Sequence, residues 1–177
     1  HEKSVTGRGA WNRLFDETMS GLRFKIGDEE LTLEPTLNRL QDPDGAVRKQ
    51  AADALGVALG QIAKSIIFRR KADDVAVLVI TSGDRRVDEK KVEAHVGKIG
   101  RADAGFVKER TGFSIGGVAP IAHATKPVTL IDRDLLRFDV VWAAAGHPHG
   151  VFPLHPGDLQ RLTGAPVVDV VQEAVAV

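Results

Sequence analysis

The sequence predicts an α+β fold with a mixed, curved β-sheet surrounded by short helices. Short apolar runs rich in β-branched residues, such as residues 62–68 and 75–80, are typical of strands. Short helical patterns and tight turns lie between these runs, without the regular strand–helix alternation of a doubly wound fold. The chain has 177 residues, of which 43% are hydrophobic. That is enough for one core with a small additional segment.

The first third of the chain predicts an N-terminal helix-hairpin-helix segment. Apolar residues at helical spacing predict a helix over residues 8–22. Alternating polarity on both sides of residues 27–28 predicts a hairpin. Pro35 can begin a short helix. Residues 42–43, Asp and Pro, suit the N-cap and first position of a further helix, which we expect Gly56 to end.

The remaining two thirds of the chain supply the predicted sheet. The second strand is followed by a turn cluster over residues 81–84, and Val92 and Val96 face inward from the helix that comes next. Strands are predicted at residues 62–68, 75–80, 128–131, 140–144 and 167–171, and helices at residues 88–96, 104–110, 133–136 and 156–162.

The composition excludes several classes of protein. The absence of cysteine excludes disulfides, thiolate zinc sites and a cysteine nucleophile. No apolar run reaches the roughly 18–20 residues that span a bilayer, so we expect no membrane partner. The N-terminus lacks the residue order of a signal peptide. Together these features favour a cytoplasmic protein.

The charge is balanced overall but unevenly distributed. A net charge of zero argues against a long nucleic-acid footprint. Residues 61–110, however, contain 12 basic and 8 acidic residues. This segment either contacts a phosphate-bearing partner or forms a solvated helix face, and the charges alone do not decide between the two.

A glycine-rich segment, residues 111–120, predicts a backbone concavity. Gly116 and Gly117 let backbone N–H groups approach a ligand without a Cβ in the way. Pro120 fixes the far end of the segment. Such a concavity suits a carbonyl or carboxylate and can stabilise charge that develops on an oxygen. The alternative is an ordinary tight turn that joins two strands.

Several motifs in order make residues 51–171 resemble the YbaK family of aminoacyl-tRNA deacylases, which is related to the editing domain of many bacterial prolyl-tRNA synthetases. The resemblance implies a YbaK-like fold, no cofactor, and hydrolysis by water with help from the substrate's ribose hydroxyl. It also implies the acceptor end of aminoacyl-tRNA as partner, with a synthetase as a further one. The matching motifs are residues 55–65, Val87-Asp88 with Lys90-Lys91, residues 111–120, Asp132 and residues 141–149.

Residues 3–51 resemble instead a non-catalytic N-terminal part of oligoendopeptidase F-like zinc peptidases. His1-Glu2 is not followed by a second histidine at the zinc-helix spacing, so the peptidase activity is not expected. We therefore expect residues 1–50 to be a foreign segment, natural or engineered, packed on a YbaK-like domain of residues 51–177.

Three groups of residues are the predicted catalytic machinery. By the resemblance, Lys64 contacts the terminal adenosine or its phosphate. Without the resemblance, Lys64 is an edge-strand or an outward-facing lysine. Gly116 and Gly117 are expected to donate N–H groups to the ester carbonyl. Asp132 is either a helix N-cap or a pocket acid that orients a water or the substrate amine.

The predicted substrate-binding residues flank this machinery. They are Ser114, Val118, Pro120, Gly146 and His147. With His149 and His155, His147 could suggest a metal, but no carboxylate completes a metal-site spacing, so we expect no metal site. His147 is expected to line the aminoacyl pocket, where its pKa permits proton transfer.

The predicted function is hydrolysis of the ester of mischarged aminoacyl-tRNA, carried out in trans and releasing free amino acid and tRNA. The alternative is a hybrid with a YbaK-like fold that binds a nucleotide end or small carboxylate and catalyses little. A peptidase fragment is a third interpretation, which the missing zinc helix disfavours. The sequence does not indicate the amino acid removed or the oligomeric state.

Overall fold

The computed structural model describes residues 23–31, 35–36, 39, 44–146 and 151–173. The chain divides into two compact units, residues 1–57 and 58–177. Across the described ranges, no helix combines the length and the apolar character needed to cross a membrane. The predicted helix over residues 8–22 lies outside the described residues.

The first unit contains the predicted hairpin and a helix. Strands β1 (Phe24–Ile26) and β2 (Glu29–Leu31) pair antiparallel around Gly27, whose φ of 59° suits a tight turn. The predicted hairpin is confirmed. Helix α1 (Gly45–Leu55) follows.

The observed N-cap residue of α1 differs from the predicted one. The N-cap is Asp44, whose carboxylate accepts a hydrogen bond from the N–H of Ala46, so the predicted start at residues 42–43 is two residues too early. The predicted end is confirmed, because Gly56 adopts the left-handed conformation and closes the helix. Pro35 is helical, as predicted.

The second unit is a mixed sheet with short helices, as predicted. Its described strands run in the order β8-β7-β3-β4-β6-β9, with β5 beside β3. The strands are β3 (Ile62–Arg70), β4 (Ala76–Ser82), β5 (Ile99–Arg101), β6 (Val128–Asp132), β7 (Val141–Ala144), β8 (Val151–Leu154) and β9 (Val167–Val168). The helices are α2 (Glu89–Val96), α3 (Ala104–Thr111) and α4 (Pro156–Thr163), with 3-10 turns at Leu59–Gln61 and Arg133–Arg137.

Both faces of β4 are covered, which explains its continuous apolar run. On one face, Leu78 and Ile80 pack with Ile131, Leu135 and Leu159. On the other face, the alternate side chains of β4 pack against α2, which contributes Val92 as predicted. The second cluster contains Val77, Val79, Val92, Ile99, Leu130 and Val170.

The pairing of β3 leaves part of one edge open. On one side β3 pairs with β4 from Ala63 to Arg69. On its other side, β7 pairs only with Ile62 and Ala63, and β5 only with residues 68–70. Within the described part of the chain, residues 64–67 therefore have no neighbouring strand on that side. This open edge of β3 lies at the centre of the candidate site.

Several element boundaries differ from the prediction. Residues 81 and 82 belong to β4, so the turn cluster begins only at Gly83. The last strand is shorter than expected and ends at Val168, while Val171 forms an isolated bridge with Val87. Strands β5 and β8 were not predicted from the sequence. Their three or four residues include Gly100 and Pro153, and such residues are unusual within strands.

Candidate active site

The glycine-rich segment begins where α3 ends. Gly112 adopts a left-handed conformation with φ of 81° and closes the helix by donating its N–H to the carbonyl of Lys108. Gly116 has a φ of 90°, a conformation that favours glycine. Gly117 donates its N–H to the carbonyl of Ser114 at 3.0 Å. The predicted pair of oxyanion donors is therefore not equivalent, because a turn within the loop holds the N–H of Gly117.

The glycine-rich segment of residues 111–120, called the glycine loop from here on, borders one cavity together with the open edge of β3. The cavity has a volume of about 250 Å³. Pockets for drug-sized ligands usually measure about 300–1,000 Å³, so this one suits a fragment the size of an aminoacyl group. Its lining residues come from β3, the segment between β5 and α3, the middle of α3, and the loop. They are Ser65, Ile66, Ile67, Ala102, Val107, Ile115, Gly116 and Val118.

The hydrogen-bond pattern of β3 aims main-chain groups into this cavity. Arg70 donates its N–H to the carbonyl of Val75 at 2.9 Å, which makes them a hydrogen-bonded pair. Such pairs alternate along an antiparallel ladder with pairs whose N–H and C=O groups point away. When the register is followed back from Arg70, Ser65 and Ile67 fall in the pairs whose N–H and C=O groups point away from β4. Their N–H and C=O groups therefore face the open edge.

Within the described ranges, Ser65 is the one residue with a polar side chain among those that line this cavity. Its Oγ is buried and has no hydrogen-bond partner among the described residues. A buried hydroxyl without a partner costs free energy, and its burial also keeps the oxygen from direct contact with a ligand in the cavity. The sequence analysis did not single out Ser65. Its position beside Lys64 in a predicted strand was the available signal, but sequence does not reveal which strand edge is open.

Lys64 lies on the other face of the sheet from Ser65. It pairs with Thr81 of β4, and successive side chains of a strand point to opposite faces. Its Nζ donates a hydrogen bond to the carbonyl of Arg85 at 2.8 Å. Lys64 is not among the described residues that line the cavity. The structure thus brings Gly116 and Val118 to the open edge of β3, but not the ammonium group of Lys64.

Asp132 ends β6 on the same face as Lys64. The register of Ile80 with Ile131, carried one residue further, puts Thr81 beside Asp132, so Thr81 lies between the two charged residues. Asp132 is fully buried, and within the described ranges neither carboxylate oxygen has a hydrogen-bond partner. It occupies the N-cap position of the 3-10 turn, but its side chain makes no capping bond.

Burial, with a smaller contribution from the negative charge of Asp134, raises the pKa of Asp132 to about 6. The backbone N–H groups of Asp134 and Val170 offset part of this rise, although neither reaches hydrogen-bond geometry. A carboxyl group with this pKa can exchange a proton near neutral pH. Its complete burial, however, keeps it from direct contact with a substrate.

Gly146 brings the end of β7 close to the glycine loop. Its φ is 90°, and a Cβ added there would lie 2.9 Å from Cε1 of Phe113, which shows how closely the two segments approach. The ring of Phe113 in turn meets His123 edge-on, with centroids 5.9 Å apart. Burial lowers the pKa of His123, although its hydrogen bond to the carbonyl of Ala119 acts the other way.

The other predicted binding residues are dispersed. Ser114 is exposed, and Pro120 is buried and lines a second cavity of about 230 Å³ beside His123. His147 and His149 lie outside the described residues. His155 occupies the N-cap position of α4 without a side-chain capping bond. In the described ranges, no group of three or more potential metal ligands occurs.

Comparisons with known proteins agree on one family. Residues 42–162 match the family model described as the aminoacyl-tRNA editing domain. Uncharacterized protein YwhH of Bacillus subtilis is 35% identical over 134 residues, which cover 75% of this chain and 85% of that protein. Proline–tRNA ligase of Thermosipho africanus is 31% identical over 90 residues, which cover 50% of this chain and 16% of the ligase.

A solved structure shows the same fold. A protein described as a proposed trans-editing enzyme for prolyl tRNA synthetase superimposes with a TM-score of 0.65 at 36% identity, covering 78% of this chain and 98% of that one. A scaffold used for the computational grafting of linear epitopes gives a TM-score of 0.66 at 40% identity, covering 70% of this chain and 79% of the scaffold. The chain belongs to the aminoacyl-tRNA editing domain family.

Proposed function

We propose that this protein hydrolyses the ester bond of mischarged aminoacyl-tRNA in trans, releasing free amino acid and tRNA. The observation that carries the proposal is the shared cavity of the glycine loop and the open edge of β3. Its size suits an aminoacyl group, and the chain belongs to the editing domain family. The acceptor end of the tRNA is the proposed partner, with a synthetase as the protein that delivers it.

In this reaction the protein mainly positions the substrate and stabilises an oxyanion. Water adds to the ester carbonyl carbon, the carbonyl oxygen becomes negatively charged, and the C–O bond to the ribose then breaks as the ribose oxygen takes a proton. Main-chain N–H groups at the open edge, from Ser65 and Ile67, are the proposed donors to that oxyanion, together with Gly116. Loss of one such donor typically costs about 10²–10³ in rate.

Lys64 and Asp132 have different proposed roles. Lys64 contacts the nucleotide end of the substrate, for which its ammonium group must exchange the carbonyl of Arg85 for the ligand. A compact cation suits a phosphate. Asp132 acts as a positioning residue rather than a catalytic one, since its burial supports no direct contact with the substrate.

A binding module with little catalysis is the second candidate function. Two observations favour it: the N–H of Gly117 is held by Ser114, and the Nζ of Lys64 is held by Arg85. Two of the predicted catalytic residues are thus engaged within the protein. Such a module would retain affinity for an acylated nucleotide without releasing the amino acid.

Deacylation of a panel of mischarged tRNAs distinguishes the two functions. We expect tRNA release by the wild-type protein and a fall of about tenfold or more in kcat/KM for Lys64→Ala, because a phosphate contact is lost. Lys71→Ala removes an equal charge from the exposed turn after β3 and serves as the matched control, with an unchanged rate. Absence of release from every tRNA would contradict hydrolysis, and equal release by wild type and Lys64→Ala would contradict the role of Lys64.

A further inference from the structure

The glycine loop belongs to a longer loop, residues 111–124, whose two ends are joined by main-chain hydrogen bonds. Ala124 donates its N–H to the carbonyl of Thr111 at 3.0 Å, and Thr125 donates to the carbonyl of Arg110 at 2.9 Å. The buried hydroxyl of Thr111 also accepts the N–H of Phe113 at 3.1 Å. Compact loops whose ends lie close together are frequently functional. The base of this loop is therefore fixed to the end of α3.

The tip of the glycine loop, by contrast, is exposed. Ser114 and Gly116 are exposed, and Ile115 is 61% exposed. Gly116 and Gly117 can adopt more main-chain conformations than other residues, so holding them in one conformation costs conformational entropy. Contacts elsewhere in the loop must offset this cost if Gly116 is to stay beside the open edge of β3.

Two aromatic side chains provide such contacts. The ring of Phe113 packs against Gly146, where an added Cβ would lie 2.9 Å from Cε1 of the ring. His123 meets the same ring edge-on, with centroids 5.9 Å apart. His123 is also hydrogen-bonded through Nε2 to the carbonyl of Ala119 at 2.8 Å, and Nε2 is the donor because a carbonyl oxygen only accepts. One imidazole thus contacts the glycine loop near its start, at Phe113, and near its end, at Ala119.

We propose that His123 is a positioning residue, which together with Phe113 forms a latch that holds the glycine loop beside the open edge of β3. This inference rests on the proposed function of the cavity at that edge and adds a residue to its machinery. His123 is not among the described residues that line the cavity, so it acts through the loop and not on the substrate. Its effect reaches the reacting ester through the N–H of Gly116, because a displacement of about 1 Å in an active site can cost about 10² in rate.

Amide hydrogen exchange measured by NMR tests the latch without any substrate. His123→Leu loses the hydrogen bond to Ala119, whereas His123→Gln keeps an N–H donor on a side chain of similar reach. We expect the amide of Gly117 to exchange about tenfold faster in His123→Leu, the change that loss of one hydrogen bond can produce, and His123→Gln to restore most of the protection. Amides of β4, such as that of Val79, should exchange as in wild type, which shows that the variant is folded.

Two ligands then separate positioning of the loop from general damage to the site. A phosphonate analogue of seryl-adenosine carries a charged tetrahedral group in place of the ester carbonyl, and the amide analogue carries an uncharged carbonyl. We expect calorimetry to show an affinity for the phosphonate that is lower by about tenfold or more in His123→Leu, with the affinity for the amide unchanged. Partial misfolding would lower the number of binding sites and not the affinity, so this result is specific to positioning.

Two further variants complete the test. Phe113→Leu removes the ring that His123 meets and should give the same changes in exchange and affinity. His95→Leu removes an exposed imidazole from α2 and should leave both measurements as in wild type. Unchanged exchange at Gly117 in His123→Leu, or an equal loss of affinity for the two analogues, would overturn the latch. Failure of the wild-type protein to bind either analogue would contradict the proposed function instead, and exchange at Gly117 would still decide the latch.

Discussion

Asp132 has a carboxyl group that the fold removes from water without a compensating hydrogen bond from any described residue. It is fully buried at the end of β6, and its pKa is raised to about 6. In the unfolded chain the same group has a pKa near 3.8. The folded state therefore holds a proton between about pH 4 and pH 6 that the unfolded state has lost. Its contribution to stability is present below pH 4 and is lost as the pH rises through 6.

Asp132→Asn should therefore stabilise the protein at neutral pH. The amide keeps the shape of the side chain but avoids a buried negative charge. We expect the free energy of unfolding at pH 7.5 to rise by about 1–2 kcal/mol, and the fall in stability between pH 4 and pH 6 to flatten. Urea unfolding across this pH range measures both effects, and an unchanged pH dependence would show that Asp132 does not titrate as described.

Lys64 was predicted from the sequence as a site residue, whereas Ser65 was not. The resemblance to a family identified Lys64, and its place in β3 was predicted correctly. The hydrogen bond from its Nζ to the carbonyl of Arg85 depends on a loop 21 residues away, which no local pattern specifies. Ser65 was missed because its significance depends on the strands that flank β3. The side chains of the adjacent residues Lys64 and Ser65 thus lie on opposite faces of the sheet.

At the scale of elements, the open edge of β3 results from two short neighbouring strands. Strand β7 pairs only with the start of β3, and β5 only with its end. The gap between them is spanned by α3 and the glycine loop, which close the cavity. Ala102 lies between β5 and α3 and lines this cavity with a single methyl group. The size of that side chain therefore controls how much room the gap offers.

Ala102→Leu should narrow the cavity without unfolding the protein. The added carbons enter the space near Val107, and Ala102 is partly exposed, so the larger side chain has room to adjust. We expect kcat/KM for threonyl esters to fall at least tenfold further than for alanyl esters. Ala104→Leu, an exposed substitution at the start of α3, is the matched control. Equal losses for both esters would argue against a side-chain pocket at this position.

Elements with strong local patterns were predicted, and those defined by pairing were not. Strand β4 is a continuous apolar run, and α2 has an Asp88 cap whose side chain accepts hydrogen bonds from two backbone N–H groups. Both follow from local chemistry. Strand β5 has three residues, and β8 contains Pro153. Such short strands exist because neighbouring strands offer an edge, and this information is absent from their own residues.

At the scale of the whole molecule, the mixed sheet decides which residues can act together. The strand pairings put the side chain of Ser65 on one face of the sheet and those of Lys64, Thr81 and Asp132 on the other. The main chain of Ser65 and Ile67 faces the open edge, which the glycine loop borders. The family model covers residues 42–162, which extends into the segment that resembles the peptidases. The compact units divide at Val57. A foreign origin of residues 1–50, and their packing on the main domain, stay predictions.

The central claim is that the aminoacyl group binds between the open edge of β3 and the glycine loop. A crystal structure with a non-hydrolysable amide analogue of seryl-adenosine tests it most directly. The account predicts that the seryl group lies against the main chain of Ser65 and Ile67, close to Gly116. A seryl group bound away from the open edge of β3 and from the glycine loop would contradict it.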